Sequence, residues 1–304
     1  FRSQDFLHSL FTLEVNGMAE AKTTIYYNHN FYYDFSKIIS ADDRGLQFGD
    51  GCYEWIRVFQ GHPFALSYHV DRLYRSMRLL GIRPVTAPDE FTEIVEVVIE
   101  ETGVTEGYVK IIVTRGSGDH DFTIPSRNAL RPNVLVYAKP INLDSIAKVQ
   151  DGVKCITMND DRGHHCDILS LNQLNNMMAR AEAQKKGCYD AIFIKDGLLT
   201  EASHSNVCIV KAGVIWTPAK NEFMIPGITR SLVLSRVAPT AGVTSIDDGA
   251  EPVRLDNMMD AEEVFLTNSQ DGIVPVTAID GKPIGDGKVG TVTRKIQEHY
   301  HHLM

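Results

Sequence analysis

Cysteine is scarce in this chain of 304 residues. Its five cysteines, Cys52, Cys155, Cys166, Cys188 and Cys208, are odd in number and form no CxxC pair. That pattern argues against a disulfide framework and for a reduced, cytoplasmic setting. No run reaches the roughly 18 apolar residues that a membrane-spanning helix needs. Basic excess is also missing: 30 Lys and Arg face 39 Asp and Glu, a net charge of −9, with no basic stripe. Nucleic acid and anionic membrane are therefore poor partners. A small anion in a locally basic pocket is still compatible with such a surface. There is no GxSxG elbow for a serine hydrolase, no internal repeat and no low-complexity segment. His164-His165-Cys166 does not make a metal site, because neighbours on an extended chain face opposite ways and no second ligand cluster accompanies them. No metal is expected.

What is present is an ordinary globular composition, 43% hydrophobic and 23% charged, at a length that fits two domains. FRSQDFLHSLFTLEVNG has neither the n-region nor the cleavage signature of a signal peptide. Met18 reads as a natural start, so the preceding residues read as an upstream extension.

Periodicity then places the elements. SYHVDRLYRSMRLLG carries Val70, Leu73, Met77 and Leu80 at helical spacing, with Gly81 as its stop. PDEFTEIVEVVIEETG carries Phe91, Ile94, Val95 and Val98, with Pro88 in the first turn and Gly103 at the end. YVKIIVT (108–114) and NVLVYA (133–138) read as strands flanking a polar loop. AKPINLDSIAKVQDG reads as a connection between halves. Beyond it come the strands VKCIT, DAIFI, NVCIVK, VIWTP and EVFLT, a helix from Ser170, and a hairpin turn at Lys195-Asp196-Gly197. Strands and helices mix without strict βαβ alternation, which gives an α+β class.

Three places suit an anionic group. In PGITRSLVLS the chain turns at Pro226-Gly227, and the N–H groups of Ile228 and Thr229 open a helix. Arg72 lies off the apolar stripe of its helix. Asn268 and Ser269 of TNSQDG follow a strand end. Each alone is more often a cap, a surface charge or a loop. Glu201 in LLTEASHSN is either a solvated turn acid or a buried carboxylate that holds a proton on a heterocyclic nitrogen.

The series DRGLQFGDGCYEWIRVFQG, HVDRLYRS, VTRG, CDILSLNQLNN, GCYDAIFI, LTEASHSN, PGITR and DGKVGTVTRKIQE resembles, in order, the class IV (fold-type IV) pyridoxal-phosphate aminotransferases. Within them it is most similar to D-amino acid aminotransferases, and less so to branched-chain aminotransferases and aminodeoxychorismate lyases. The resemblance implies a two-domain fold-type IV architecture: an N-terminal extension over 1–22, a smaller α/β domain over 23–140, a linker over 141–148 and a larger cofactor-binding domain over 149–304. It implies pyridoxal 5'-phosphate or its pyridoxamine form as cofactor, an amino acid and a 2-keto acid as partners in a ping-pong exchange, and a homodimer. Arg72, Ile228, Thr229, Asn268 and Ser269 match the family's phosphate cup. Glu201 matches the carboxylate that keeps the pyridine nitrogen protonated, so that the ring is an electron sink. Tyr53 matches an active-site tyrosine near the substrate.

Two departures stand out. Where the family has the lysine that carries the cofactor as a Schiff base and shuttles the substrate proton, this chain has Leu169. Loss of positioned acid–base catalysis alone costs roughly 10²–10⁴-fold. Lys185 and Lys186 lie on the order of 24 Å along the helix at 1.5 Å per residue. The substrate pocket also differs. The loop VTRGSGDHDF is shorter than in relatives and keeps His120, but it lacks the arginine of the carboxylate trap. Trp55 replaces a small or aliphatic residue, and His204 a serine. Three readings follow: an aminotransferase whose natural chain has lysine at 169, a cofactor-binding relative without transfer chemistry, and a lyase using the same electron sink.

Overall fold

The computed structural model describes residues 23–34, 38–118, 121–246 and 252–304. The N-terminal extension and His120 lie outside these residues.

The first sheet comprises β1 (Ile25–Tyr27), β2 (Asn30–Tyr32), β3 (Gly51–Phe59), β4 (His62–Pro63), β5 (Gly107–Thr114) and β6 (Asn133–Pro140), ordered β2-β1-β6-β5-β3-β4 and antiparallel throughout. Alternation along the strands decides its faces. Cys52, Ile56 and Val58 of β3 and Val109, Ile111 and Val113 of β5 form one core with the expected stripes of two helices. These are α2 (Leu66–Leu80) and α3 (Pro88–Thr102), which follow the short α1 (Arg44–Phe48). Each large apolar side chain in that core contributes about 1.5–3 kcal/mol by leaving water. Gly81 and Gly103 close α2 and α3 with φ of 68° and 66°, a left-handed conformation in which glycine carries no Cβ penalty.

The second sheet comprises β7 (Val153–Asn159), β8 (Asp190–Lys195), β9 (Leu198–Ala202), β10 (Asn206–Lys211), β11 (Val214–Trp216), β12 (Ser245–Ile246), β13 (Glu263–Asn268), β14 (Gly272–Ile279) and β15 (Lys282–Pro283). Its order is β12-β11-β10-β13-β14-β7-β8-β9, with β15 on β14, and it mixes parallel and antiparallel pairs. The class is α+β, as expected. The β8–β9 hairpin turns through Asp196 and Gly197, both at positive φ (52° and 78°), as a two-residue turn of this kind requires.

Two readings of the sequence give way to different structure. The stretch expected as a connection contains α4 (Leu143–Gln150), whose cap Asn142 accepts a hydrogen bond from the Ser145 N–H at 3.2 Å. The helix expected from Ser170 begins four residues later, as α5 (Leu174–Lys185). The intervening chain is bound to the free edge of β3: the Tyr53 N–H donates to the Leu169 carbonyl and the Leu171 N–H to the Gly51 carbonyl, both at 3.0 Å. Tertiary pairing thus overrides local helix preference and fixes position 169 beside Tyr53. As expected, a helix opens at Ile228, just after Pro226-Gly227. α6 (Ile228–Leu232) continues through a π-helical turn over Val233–Val237 into α7 (Ala238–Thr240). α8 (Leu255–Met259) precedes β13, and α9 (Thr291–Leu303) ends the chain. No helix among the described residues is long and apolar enough to cross a membrane.

Candidate active site

A cavity of about 280 Å³ lies where the cavity face of the first sheet meets the second sheet. Tyr53 and Trp55 of β3, Arg72 of α2, Leu169, Glu201 at the end of β9, His204, Ile228 and Thr229 at the start of α6, and Asn268 and Ser269 at the end of β13 all line it. Residues far apart in the chain thus share one space, and of those singled out from the sequence only His120 is not placed.

At one end sits Arg72. Its Nε and Nη2 donate to the two oxygens of Glu54 at 2.8 and 2.7 Å, and its Nη1 donates to the Pro226 carbonyl at 3.3 Å. Glu54 is fully buried and also meets His69 Nδ1 at 2.7 Å. Burial alone disfavours this carboxylate, but Arg72 and His69 more than offset it and hold the carboxyl below its ordinary value. Arg72 is thereby fixed before any ligand arrives. Gly227 precedes α6, and a Cβ there would stand 1.9 Å from Asn206 Oδ1, so only glycine allows this approach. Asn268 is held by donating to Ser205 Oγ at 3.1 Å and accepting from the Asp271 N–H at 2.7 Å. The buried Thr267 hydroxyl beside it has no partner among the described residues. A guanidinium, the helix-start amides and several hydroxyls around one pocket end form a donor set that fits a phosphate group.

Glu201 is buried, not a solvated turn acid. One oxygen accepts from Arg162 Nη1 at 2.5 Å, the other from the Ile225 N–H at 2.8 Å. Arg162 is itself held by Asp160 through two bonds of 2.8 Å. Burial pushes the Glu201 carboxyl up to about 7, against the opposing pull of Arg162. A carboxyl balanced in this way can share a proton with a ring nitrogen near neutral pH.

The other end is built by β3 and β5. Trp55 stands opposite Lys110 in the ladder, so both project from the same face. Trp55 stacks on Tyr108 at 4.8 Å. Lys110 also lines the cavity, with its Nζ 4.8 Å from the centre of the Tyr53 ring. Burial pushes the Tyr53 phenol up to about 12, with repulsion from Glu54 adding to it, so the phenol stays protonated. Leu169 contributes only apolar surface here. Lys185 ends α5 exposed, paired with Glu182 at 3.2 Å.

His204 belongs to a buried network at the cavity wall. Its Nδ1 lies 3.0 Å from Asp190 and its Nε2 3.9 Å from Asp271. Burial disfavours the imidazolium, but Asp190 more than offsets this and raises the histidine above its ordinary value. His164 instead meets Glu222 at 3.0 Å. Sequence reading missed Glu54, Arg162 and Lys110. Glu54 carried a signal, since it shares strand parity with Cys52, Ile56 and Val58, and an acid on an apolar face demands a partner.

Comparisons with known proteins bear on the family and the fold. A D-alanine aminotransferase from Bacillus licheniformis is 36% identical over 259 residues, covering 85% of this chain and 89% of its own. A branched-chain amino acid aminotransferase of T.th., solved with N-(5'-phosphopyridoxyl)-L-glutamate, superposes with a TM-score of 0.79 at 26% identity, over 92% of this chain and 93% of that one. A structure described as a putative 4-amino-4-deoxychorismate lyase from Legionella pneumophila shares the fold, with a TM-score of 0.79 at 23% identity over 89% and 97% of the two chains. The amino-transferase class IV pattern matches residues 51–279, and the chain belongs to the class IV aminotransferase family.

Proposed function

We propose that this chain binds pyridoxal 5'-phosphate and moves an amino group between an amino acid and a 2-keto acid. The observation that carries the reading is the convergence of Arg72, Glu201, Thr229, Asn268 and Ser269 on one cavity. Arg72, pre-set by Glu54, holds the phosphate end together with Thr229, Ser269 and the amides of α6. Glu201, backed by Arg162, keeps a proton at the ring nitrogen. When bound, pyridoxal phosphate supplies a conjugated ring that stabilises negative charge at the substrate α-carbon. Tyr53, protonated because it is buried, donates a hydrogen bond toward the reacting end. Trp55, stacked on Tyr108, keeps water from that end.

The name of the Bacillus licheniformis relative makes D-alanine the first donor to test. The test loads the protein with pyridoxal phosphate, dialyses it, and supplies D- or L-alanine with a 2-keto acid acceptor. Retained cofactor and pyruvate formed in step with the new amino acid are expected. Cofactor that leaves on dialysis overturns the reading. Leu169 favours a second reading, a cofactor holder without transfer, which retained cofactor with no pyruvate would establish. A homodimer is part of the proposal. Leu174, Met177 and Met178 lie exposed at i, i+3 and i+4 on one face of α5, which supports a subunit contact there. Size-exclusion chromatography with light scattering checks it.

A further inference from the structure

We propose that Lys110 supplies the amine that position 169 lacks, its Nζ forming a C=N bond with the aldehyde of pyridoxal phosphate. The inference rests on the cofactor reading above and deepens it. Lys110 is the one lysine among the described residues lining the cavity, and it shares that cavity with Leu169. Its Nζ lies 4.8 Å from the Tyr53 ring centre, and the Tyr53 N–H is bonded to the Leu169 carbonyl at 3.0 Å. The amine and position 169 therefore line one cavity and both meet Tyr53, the first at its ring and the second at its backbone. It is placed by a strand, opposite Trp55 in the β3–β5 ladder, and not by a loop.

Its surroundings suit a nucleophile. Among the described residues no carboxylate lies within ion-pair distance of Nζ, in contrast to Lys185 with Glu182. Half-burial without a counter-charge lowers the Lys110 amine below its ordinary value, which raises the neutral, reactive fraction near neutral pH. An uncompensated ammonium also attracts a substrate carboxylate. The two roles separate cleanly, because arginine can replace a carboxylate anchor and cannot form the C=N bond.

The step balances without an oxidant or reductant. The Nζ lone pair attacks the aldehyde carbon and a C–N bond forms. The aldehyde oxygen leaves as water, taking two hydrogens from the amine, and the C=N bond remains. Exchange with an amino acid's amine releases Lys110, whose free amine can then carry a proton.

The experiment loads the wild-type protein with pyridoxal phosphate, reduces it with borohydride, and maps the phosphopyridoxyl group by peptide mass. The same is done for Lys110→Arg and Leu169→Lys. Cofactor binding is measured separately, before reduction, by equilibrium dialysis. A group fixed at Lys110 in the wild type, lost in Lys110→Arg while cofactor is still bound, and appearing at position 169 in Leu169→Lys is the expected result. Bound cofactor with no fixed group, or with the group on another lysine, overturns the inference and leaves the cofactor reading standing. An unchanged yield in Lys110→Arg overturns it too. No cofactor bound at all overturns both. The decisive mapping is on the wild-type chain, so a variant that fails to fold cannot rescue the proposal.

Discussion

At the Arg72 end of the cavity, charge is answered by charge. The guanidinium has Glu54, Glu54 has His69 as well, and these three come from β3 and α2 of one core. At the Lys110 end an amine projects beside the Tyr53 ring and opposite Trp55, with no carboxylate in ion-pair contact among the described residues. The first arrangement completes its electrostatics inside the protein and fixes a receptor in advance. The second leaves its electrostatics to be completed by whatever binds. Under the proposed function, the difference separates the holding of a cofactor's phosphate from the supply of an amine, which the leucine at position 169 does not provide.

The strongest way to break the contrast is to place a lysine at position 169. Leu169→Lys is expected to raise the transfer rate roughly 10²–10⁴-fold, the range that positioned acid–base catalysis supplies. Single-turnover absorbance changes on adding an amino acid measure this. A rate unmoved by the substitution would show that Leu169 is not the deficiency.

The answered end predicts the next largest effect. Arg72→Leu leaves Glu54 buried without its main partner, and breaking a buried pair in this way costs about 3–5 kcal/mol. Chemical denaturation of the cofactor-free protein reads that loss directly, apart from any effect on cofactor retention. A cost no greater than that of an exposed ion pair, about 0–1 kcal/mol, would mean the Glu54–Arg72 pair is not the fixed receptor described here.

Glu201 lines the same cavity, and its proton gives a pH signature. Its carboxyl is raised in the folded chain to about 7 from 4.5, so the folded state holds the proton more tightly. Its contribution to stability is complete below pH 4.5 and is lost as pH rises through about 7. The size is on the order of 3 kcal/mol, taking 1.36 kcal/mol per pH unit. Glu54, Asp160, Asp190 and Asp271 are shifted downward and change stability in the opposite sense, at lower pH. Glu201→Gln should therefore flatten the stability curve of the cofactor-free protein between pH 4.5 and 7 and leave its acid limb unchanged.

How much of this was legible in the sequence depended on whether a residue's neighbours in the chain are also its neighbours in space. The α2 and α3 stripes were legible because helical spacing alone dictates which side chains share a face. The Asp196-Gly197 turn was legible because its backbone demands those residues. The proposed phosphate cup was not legible from physics alone. Arg72, Thr229 and Ser269 meet only through tertiary packing, and the family resemblance was needed to group them. Arg162 carried little signal: its pairing with the neighbouring Asp160 reads as an ordinary local ion pair, and its partner Glu201 lies far along the chain on β9. Lys110 was hidden for the opposite reason. It alternates with the buried Val109 and Ile111, so it reads as an ordinary solvent-facing lysine until the cavity on that face is seen.

Trp55 offers the smallest and most local way to sharpen the contrast. It stands opposite Lys110 and stacks on Tyr108 at 4.8 Å, so its ring lies on the same sheet face as the amine. Trp55→Leu removes an aromatic pair worth about 0.5–1.5 kcal/mol beyond its buried area, a modest loss in denaturation experiments. The more telling change is in reactivity. If burial is what lowers the Lys110 amine, admitting water should raise it again, and incorporation of phosphopyridoxyl after borohydride should rise with pH along a curve displaced to higher pH than in the wild type. Arg72→Lys, at the answered end, should lower the yield by weakening phosphate binding but leave the midpoint of that curve where it is, because Glu54 and not solvent sets the electrostatics there. A Trp55→Leu curve that overlays the wild type would mean that something other than desolvation sets the Lys110 amine, and the contrast between the two ends would then lose its physical basis.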